Sequence, residues 1–195
     1  MNNIGIIEPQ GHHSQVIDLE SKLLQSNIIF LADEFTNESV STIQAELFYL
    51  TSKMTPEESK ENPITLYINS PGGDVYCLLG LYDVMQLFIK QGYVIKTINI
   101  GIAASAAAVL LLSGSKGHRH CLPNSTVMLH QPSSGTFGTV TDMEIDVNET
   151  KRLKSTINEI IKNHASADLI PLLERDAFFT PEEAMTYGII DSIKE

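Results

Sequence analysis

Residues 64–131 read ITLYINSPGGDVYCLLGLYDVMQLFIKQGYVIKTINIGIAASAAAVLLLSGSKGHRHCLPNSTVMLHQ, and their rhythm decides the fold. Three short runs, ITLYIN (64–69), VIKTINI (94–100) and STVMLHQ (125–131), have the length and β-branched content of strands. Two longer runs between them have helical spacing. The first carries Leu78, Leu79, Leu81, Tyr82, Met85 and Phe88 and is closed by Gly92; the second starts at Ser105 and is closed by Gly114. Strand, helix, strand, helix, strand argues for parallel strands joined by right-handed crossovers. In such a sheet the ligand site lies beyond the carboxyl ends of the strands. Here those ends are Gly72-Gly73, the Gly101–Ser105 turn and His130, which are expected to converge.

On the amino-terminal side, residues 1–17 are polar and read as an irregular, flexible arm. A short helix over 18–27 and a strand over 27–31 follow. The spacing of Val40, Ile43, Leu47, Phe48 and Leu50 predicts a helix with Asn37 as its N-cap, and residues 53–63 read as a polar loop. On the carboxyl-terminal side, Ser133–Gly138 is a glycine-rich extended segment. Thr141-Asp142-Met143-Glu144 has capping-box spacing and opens a helix to about Asn163, with Leu153, Ile157, Ile160 and Ile161 on one side. Thr180-Pro181-Glu182-Glu183 opens another, stopped by Gly188 and followed by a last short strand over 189–193.

With 195 residues and 43% apolar content the chain is expected to form one domain, 1–195, with its own core. A net charge of -11 without a basic stripe argues against nucleic acid or an anionic membrane as partner. The run Ile102–Leu112 is too short to span a bilayer, and the N-terminus lacks the pattern of a signal peptide. Cys77 and Cys121 indicate neither a disulfide framework nor a metal site, so a reducing, cytoplasmic setting is the simplest expectation.

Ser105 is the first candidate for chemistry. A lone serine among alanines is commonly a packing residue, but this one stands at a strand-to-helix turn, the logic of a nucleophile elbow without its usual spelling. The Ala106 N–H would leave the helix start free to stabilise an oxyanion. Of six histidines, His130 is the one expected beside this turn; His12 and His13 lie in the arm, His118 and His120 in a polar turn, and His164 at a helix end. A neutral imidazole there can take and return the serine proton. Asp142, Asp168, Asp176 and Asp191 all remain open as the third, orienting group. Gly72-Gly73, at the end of a strand beside the serine, can supply a second oxyanion N–H, and its backbone, like Ser133–Gly138 on the other side, can pair with an extended peptide.

YINSPGG (67–73), GIAAS (101–105), CLPNSTVMLHQP (121–132) and RDAFFTPEEAMTYGIID (175–191) together resemble the ClpP family, the serine-peptidase subunits of ATP-dependent Clp proteases. The resemblance runs from about residue 18 to 193. It implies an α/β fold of the ClpP/crotonase type, with stacked βαβ units and an inserted long handle helix near 139–164. It implies Ser105, His130 and Asp176 as the catalytic triad, Gly73 and Ala106 as oxyanion donors, and Asp74, Val75, Ser133, Ser134 and Gly135 as peptide-binding backbone. It further implies two stacked heptameric rings enclosing a chamber, unfolded polypeptides as substrates and a Clp-type AAA+ unfoldase as partner. ATP is then used by that partner, with no cofactor or metal in this chain. Glu174 and Arg175 fall where the family couples ring contact to the triad. Where the family commonly has Met after the serine, this chain has Ala106. Two other readings are a non-catalytic ring subunit and a crotonase-type acyl-CoA enzyme. Members of the first class usually lose triad residues and the second uses carboxylates in place of a serine.

Overall fold

The computed structural model describes residues 5–10, 13–165 and 169–194. In chain order the elements are β1 (Gly5–Gln10), β2 (His13–Asp18), α1 (Leu19–Leu24), β3 (Ile28–Leu31), α2 (Asn37–Lys53), α3 (Pro56–Glu61), β4 (Ile64–Ser70), α4 (Val75–Lys90), β5 (Ile95–Ala104) and α5 (Ala106–Leu112). There follow β6 (Arg119–Cys121), β7 (Thr126–Leu129), α6 (Val140–His164), a 3-10 turn (Ile170–Glu174), β8 (Ala177–Phe179), α7 (Pro181–Thr186) and β9 (Ser192–Ile193). The 64–131 stretch is the βαβαβ frame that its pattern predicts. The main sheet has the order β3-β4-β5-β6-β9, every pair parallel. β7 pairs in parallel with the far half of β5 and antiparallel with β8.

Burial follows the pattern of the chain. β4 buries Ile64, Leu66 and Ile68 on one face, and α2 and α4 turn Ile43, Leu47, Leu81 and Met85 towards the same core. All seven residues of α5 are buried, as expected of a helix that is apolar on every side. α5 is therefore the central helix, and its first residue follows Ser105 directly.

β5 is longer than its sequence predicts: it continues past Gly101 to Ala104. Its first half pairs with β6 through Thr97–Asn99, and its second half with β7 through Ile102–Ala104. Asn99, fully buried, holds the switch, since Nδ2 donates to Thr126 O at 2.8 Å and Oδ1 accepts from the Gly101 N–H at 3.2 Å. A single strand thus joins the main sheet to the short β7–β8 pair, and Ser105 leaves from its end.

Other sequence expectations are corrected. Residues 5–10 and 13–18 pair as antiparallel strands where an irregular arm was expected, with the apolar pairs Ile6↔Ile17 and Ile7↔Val16 in register. The 53–63 loop contains α3. Its start, Thr55-Pro56-Glu57-Glu58, repeats the TPEE signal of Thr180–Glu183, and both form capping boxes. Thr36, with Ser39, caps α2 in place of Asn37. Thr139, with Asp142, caps α6 in place of Thr141 and Glu144. The expected polar turn around Arg119 is the buried strand β6.

Arg119 explains why that strand is buried. It donates from Nη2 to Asp191 Oδ1 at 2.6 Å and from Nε to Asp191 Oδ2 at 2.9 Å. Its Nη1 donates to Leu112 O at 3.2 Å and His164 O at 2.9 Å, closing the carboxyl ends of α5 and α6. Burial alone raises the Asp191 carboxyl; the hydrogen bonds and charge of Arg119, with the Gly117 N–H, outweigh it and hold the carboxyl below its ordinary range. The folded carboxyl ionises below the unfolded one, so its contribution is complete above the unfolded value of about 4 and is lost as pH falls through the folded value. Arg119→Met is expected to cost about 3 kcal/mol in urea unfolding and to make the acid-side loss of stability less steep. An unchanged midpoint would contradict this role.

Candidate active site

Ser105 lies between β5 and α5 at φ 55° and ψ -120°. Positive φ in a residue with a Cβ costs on the order of 1–3 kcal/mol and persists only where the surroundings impose it. Here the Ser105 N–H donates to Met128 O at 2.8 Å, so β7 pairing continues into the serine while the next residue is already helical. The turn is sharp and displays Oγ. Gly72, at φ 91°, packs against it. A Cβ there would lie 2.6 Å from Ala104 O, 2.8 Å from Ser105 Cβ and 2.9 Å from Ala106 N, distances that backbone atoms cannot yield.

His130 follows β7 directly. Its Nε2 accepts from the Ser105 hydroxyl at 2.9 Å, and its Nδ1–H donates to Asp176 Oδ1 at 3.2 Å. Register brings the last two together. Leu129 pairs with Ala177 in the antiparallel β7–β8 ladder, so the next step along each strand sets His130 opposite Asp176. The other acids go elsewhere: Asp142 caps α6, Asp191 binds Arg119, and Asp168 lies outside the described residues. His120 is buried against Ser192 Oγ at 2.9 Å, its ring pushed down to about 4 by burial and by Lys194 and Lys96. His164 meets the Tyr82 hydroxyl at 3.2 Å, and burial, then Arg119, lowers its pKa.

The two expected oxyanion donors sit on either side of this turn. Phe35 N–H donates to Gly72 O at 2.8 Å, and Asp74 N–H donates to Phe35 O at 3.0 Å, a parallel bridge at Gly73. These bonds use the peptide groups before and after Gly73, so its own N–H faces the opposite side. A Cβ on Gly73, at φ 146°, would lie 2.7 Å from Phe35 N and O. Ala106 is the first residue of α5, where an N–H has no acceptor within its own helix.

The family model described as Clp protease matches residues 10–195. The chain is also 42% identical over 191 residues to the ATP-dependent Clp protease proteolytic subunit 1 of Borreliella burgdorferi, covering 96% of this chain and 94% of that one. The chain belongs to the Clp protease family. Its mixed sheet, parallel strands and long α6 accord with the fold expected from the sequence motifs.

In this Clp protease chain the remaining predicted residues line one cleft of about 350 Å³. Asp74 and Val75 form one side, Ser133, Ser134 and Gly135 the other, and α6 the floor. The Asp74 side chain caps α4 by accepting from the Cys77 N–H at 2.8 Å. The floor residues Asp146, Glu149, Thr150 and Leu153, and Tyr76 in the wall, are not among the residues that motifs point to. Their signal is the three-and-four spacing that puts them on one face of a helix. Lys154, on the same helix, donates to Gln131 Oε1 at 2.7 Å and Glu174 Oε1 at 2.9 Å, tying α6 to the segments beside His130 and Asp176. Among the described residues, no three His, Cys, Asp or Glu side chains are arranged to hold a metal ion, and no helix is long and apolar enough to cross a membrane.

The strain at Ser105 is testable apart from any activity. Ser105→Gly is expected to be more stable than Ser105→Ala by about 1 kcal/mol in thermal or urea unfolding, because only glycine relaxes at positive φ. The reverse order would show that the turn is not strained.

Proposed function

We propose that this chain is the peptidase subunit of a Clp-type assembly, a serine endopeptidase whose nucleophile is Ser105. The observation that carries the reading is the unbroken line Ser105 Oγ, His130 Nε2, His130 Nδ1, Asp176 Oδ1 at a strained strand-to-helix turn. Membership of the Clp protease family supports the same reaction class.

In this mechanism a substrate strand lies between Asp74-Val75 and Ser133–Gly135, with its scissile carbonyl over Ser105. His130 takes the hydroxyl proton as Oγ attacks, and Asp176 accepts from Nδ1–H and so fixes the tautomer that makes Nε2 the base. The tetrahedral oxyanion is held by the Gly73 and Ala106 N–H groups; each such donor is worth roughly 100- to 1,000-fold in rate. His130 then gives the proton to the leaving amine, and water repeats the cycle on the acyl-enzyme. Because the Ala106 donor is backbone, the absence of the family's common Met does not remove it. The chemistry uses no metal or organic cofactor in this chain.

The proposal extends to the assembly. The first half of α6 and the segment before it expose Phe137, Val140, Ile145 and Val147, a handle whose apolar side calls for a partner, whereas the second half buries Leu153, Ile157, Ile160 and Ile161. Two stacked heptameric rings would cover that handle and enclose the sites. A Clp-type AAA+ unfoldase would then spend the ATP and deliver unfolded chains. The buried thiols of Cys77 and Cys121 fit a reducing cytoplasm.

Ser105→Ala is expected to abolish hydrolysis of small fluorogenic peptides, and Asp176→Asn to lower kcat roughly 1,000- to 10,000-fold by favouring the wrong tautomer. Wild type no faster than Ser105→Ala contradicts the peptidase reading. Sedimentation is expected to show a multimer that Ile145→Asp weakens; a compact monomer at micromolar concentration contradicts the ring.

A further inference from the structure

Tyr76 in the wall of the cleft and Glu149 in its floor have no part in the steps above. Tyr76 stands in the first turn of α4, and its hydroxyl donates across the cleft to Glu149 Oε1 at 2.9 Å. Arg152 donates from Nη2 to the same oxygen at 2.6 Å and from Nε to Oε2 at 2.8 Å. The hydrogen bonds from Arg152, then Tyr76, hold the Glu149 carboxyl down to about 2, so it is ionised at any working pH. Asp74 and Asp146 bring two more carboxylates to the lining, which among the described residues contains no Lys, Arg or His. Lys151 and Lys154 face the neighbouring hollow, and Lys154 is engaged by Gln131 and Glu174. Beneath the carboxylates lies Leu153, 8% exposed.

Gly73 both lines this cleft and is a proposed oxyanion donor, so the side chain that enters belongs to the residue whose carbonyl is attacked. We propose that Glu149, positioned by Tyr76, is a specificity-determining residue of that cleft: it admits a side chain with an apolar stem and a hydrogen-bond-donating head, neutral or cationic, and rejects a carboxylate. The inference rests on the peptidase reading of Ser105. The stem packs over Leu153, and the head meets the Glu149 oxygens beside the Tyr76 hydroxyl. A glutamate there faces three like charges, of which Arg152 offsets one. Tyr76 is a positioning residue, since it acts by fixing where Glu149 points.

The test uses the assembled protein and four fluorogenic peptides that differ only in the acyl-side residue of the cleaved bond: Lys, Gln, Leu or Glu. Gln and Glu are nearly isosteric, so their ratio of kcat/KM reads charge alone. The unmodified chain is expected to favour Gln over Glu at least about fivefold, the scale of a partly exposed charge pair. Glu149→Gln is expected to bring the two within about twofold. Tyr76→Phe, which keeps the ring, is expected to narrow the ratio and to raise KM for the Lys and Gln peptides more than it lowers kcat. A Gln-to-Glu ratio near one in the unmodified chain, or a ratio that neither variant moves, overturns the assignment of Glu149 while leaving a working peptidase. Failure of the unmodified chain to cleave any of the four overturns the peptidase reading and this inference with it.

Discussion

The Ser105 turn is held by three neighbours at once, and much of the structure exists to bring them there. β7 captures the serine N–H through Met128 O, α5 begins at the next residue inside the core, and Gly72 closes from the third side where a Cβ has no room. A positive φ at a serine is unfavourable in isolation. Here the buried helix on one side and the β5–β7 pairing on the other leave the chain no cheaper path. The same arrangement brings Oγ to His130 Nε2 and starts α5 at Ala106, whose N–H has no acceptor within its own helix, so the strain and the proposed chemistry have one cause.

The rest of the fold sets partners around that turn. Asn99 redirects β5 from β6 to β7, which is why the strand ends next to His130 and not at the edge of the main sheet. The antiparallel β7–β8 register then places Asp176 opposite His130. Asp176 remains largely open to solvent, its side chain 62% exposed, while His130 is 27% exposed, so the orienting contact is the least protected link in the line. Lys154 fastens this link to α6 through Gln131 and Glu174. The helix that projects its first half away from the body is thereby also the floor and brace of the site.

The frame was legible in the sequence because periodicity reports burial directly. Residues 64–131 alternate strand and helix patterns, and the strand ends they imply do converge. Capping chemistry was legible wherever it was local, and the helix missed at Pro56 carried the same TPEE signal that was read correctly at Pro181. What pattern alone left open was long-range. Nothing local separates Asp176 from Asp191; the difference is that one lies opposite His130 across a ladder and the other is bound by a buried Arg119, itself read as part of a turn. Motif resemblance, not spacing, singled out Asp176 beforehand. Tyr76 and Glu149, 73 residues apart, escaped both because their contact is made only by the packing of α4 beside α6.

The central claim is that the Ser105 hydroxyl is the activated nucleophile, and covalent capture tests it most directly. After treatment with a fluorophosphonate, peptide mapping by mass spectrometry is predicted to find a single adduct, on Ser105, formed at a rate that falls by orders of magnitude in His130→Ala. An adduct on a different serine, or no adduct on a folded and assembled protein, would contradict the account.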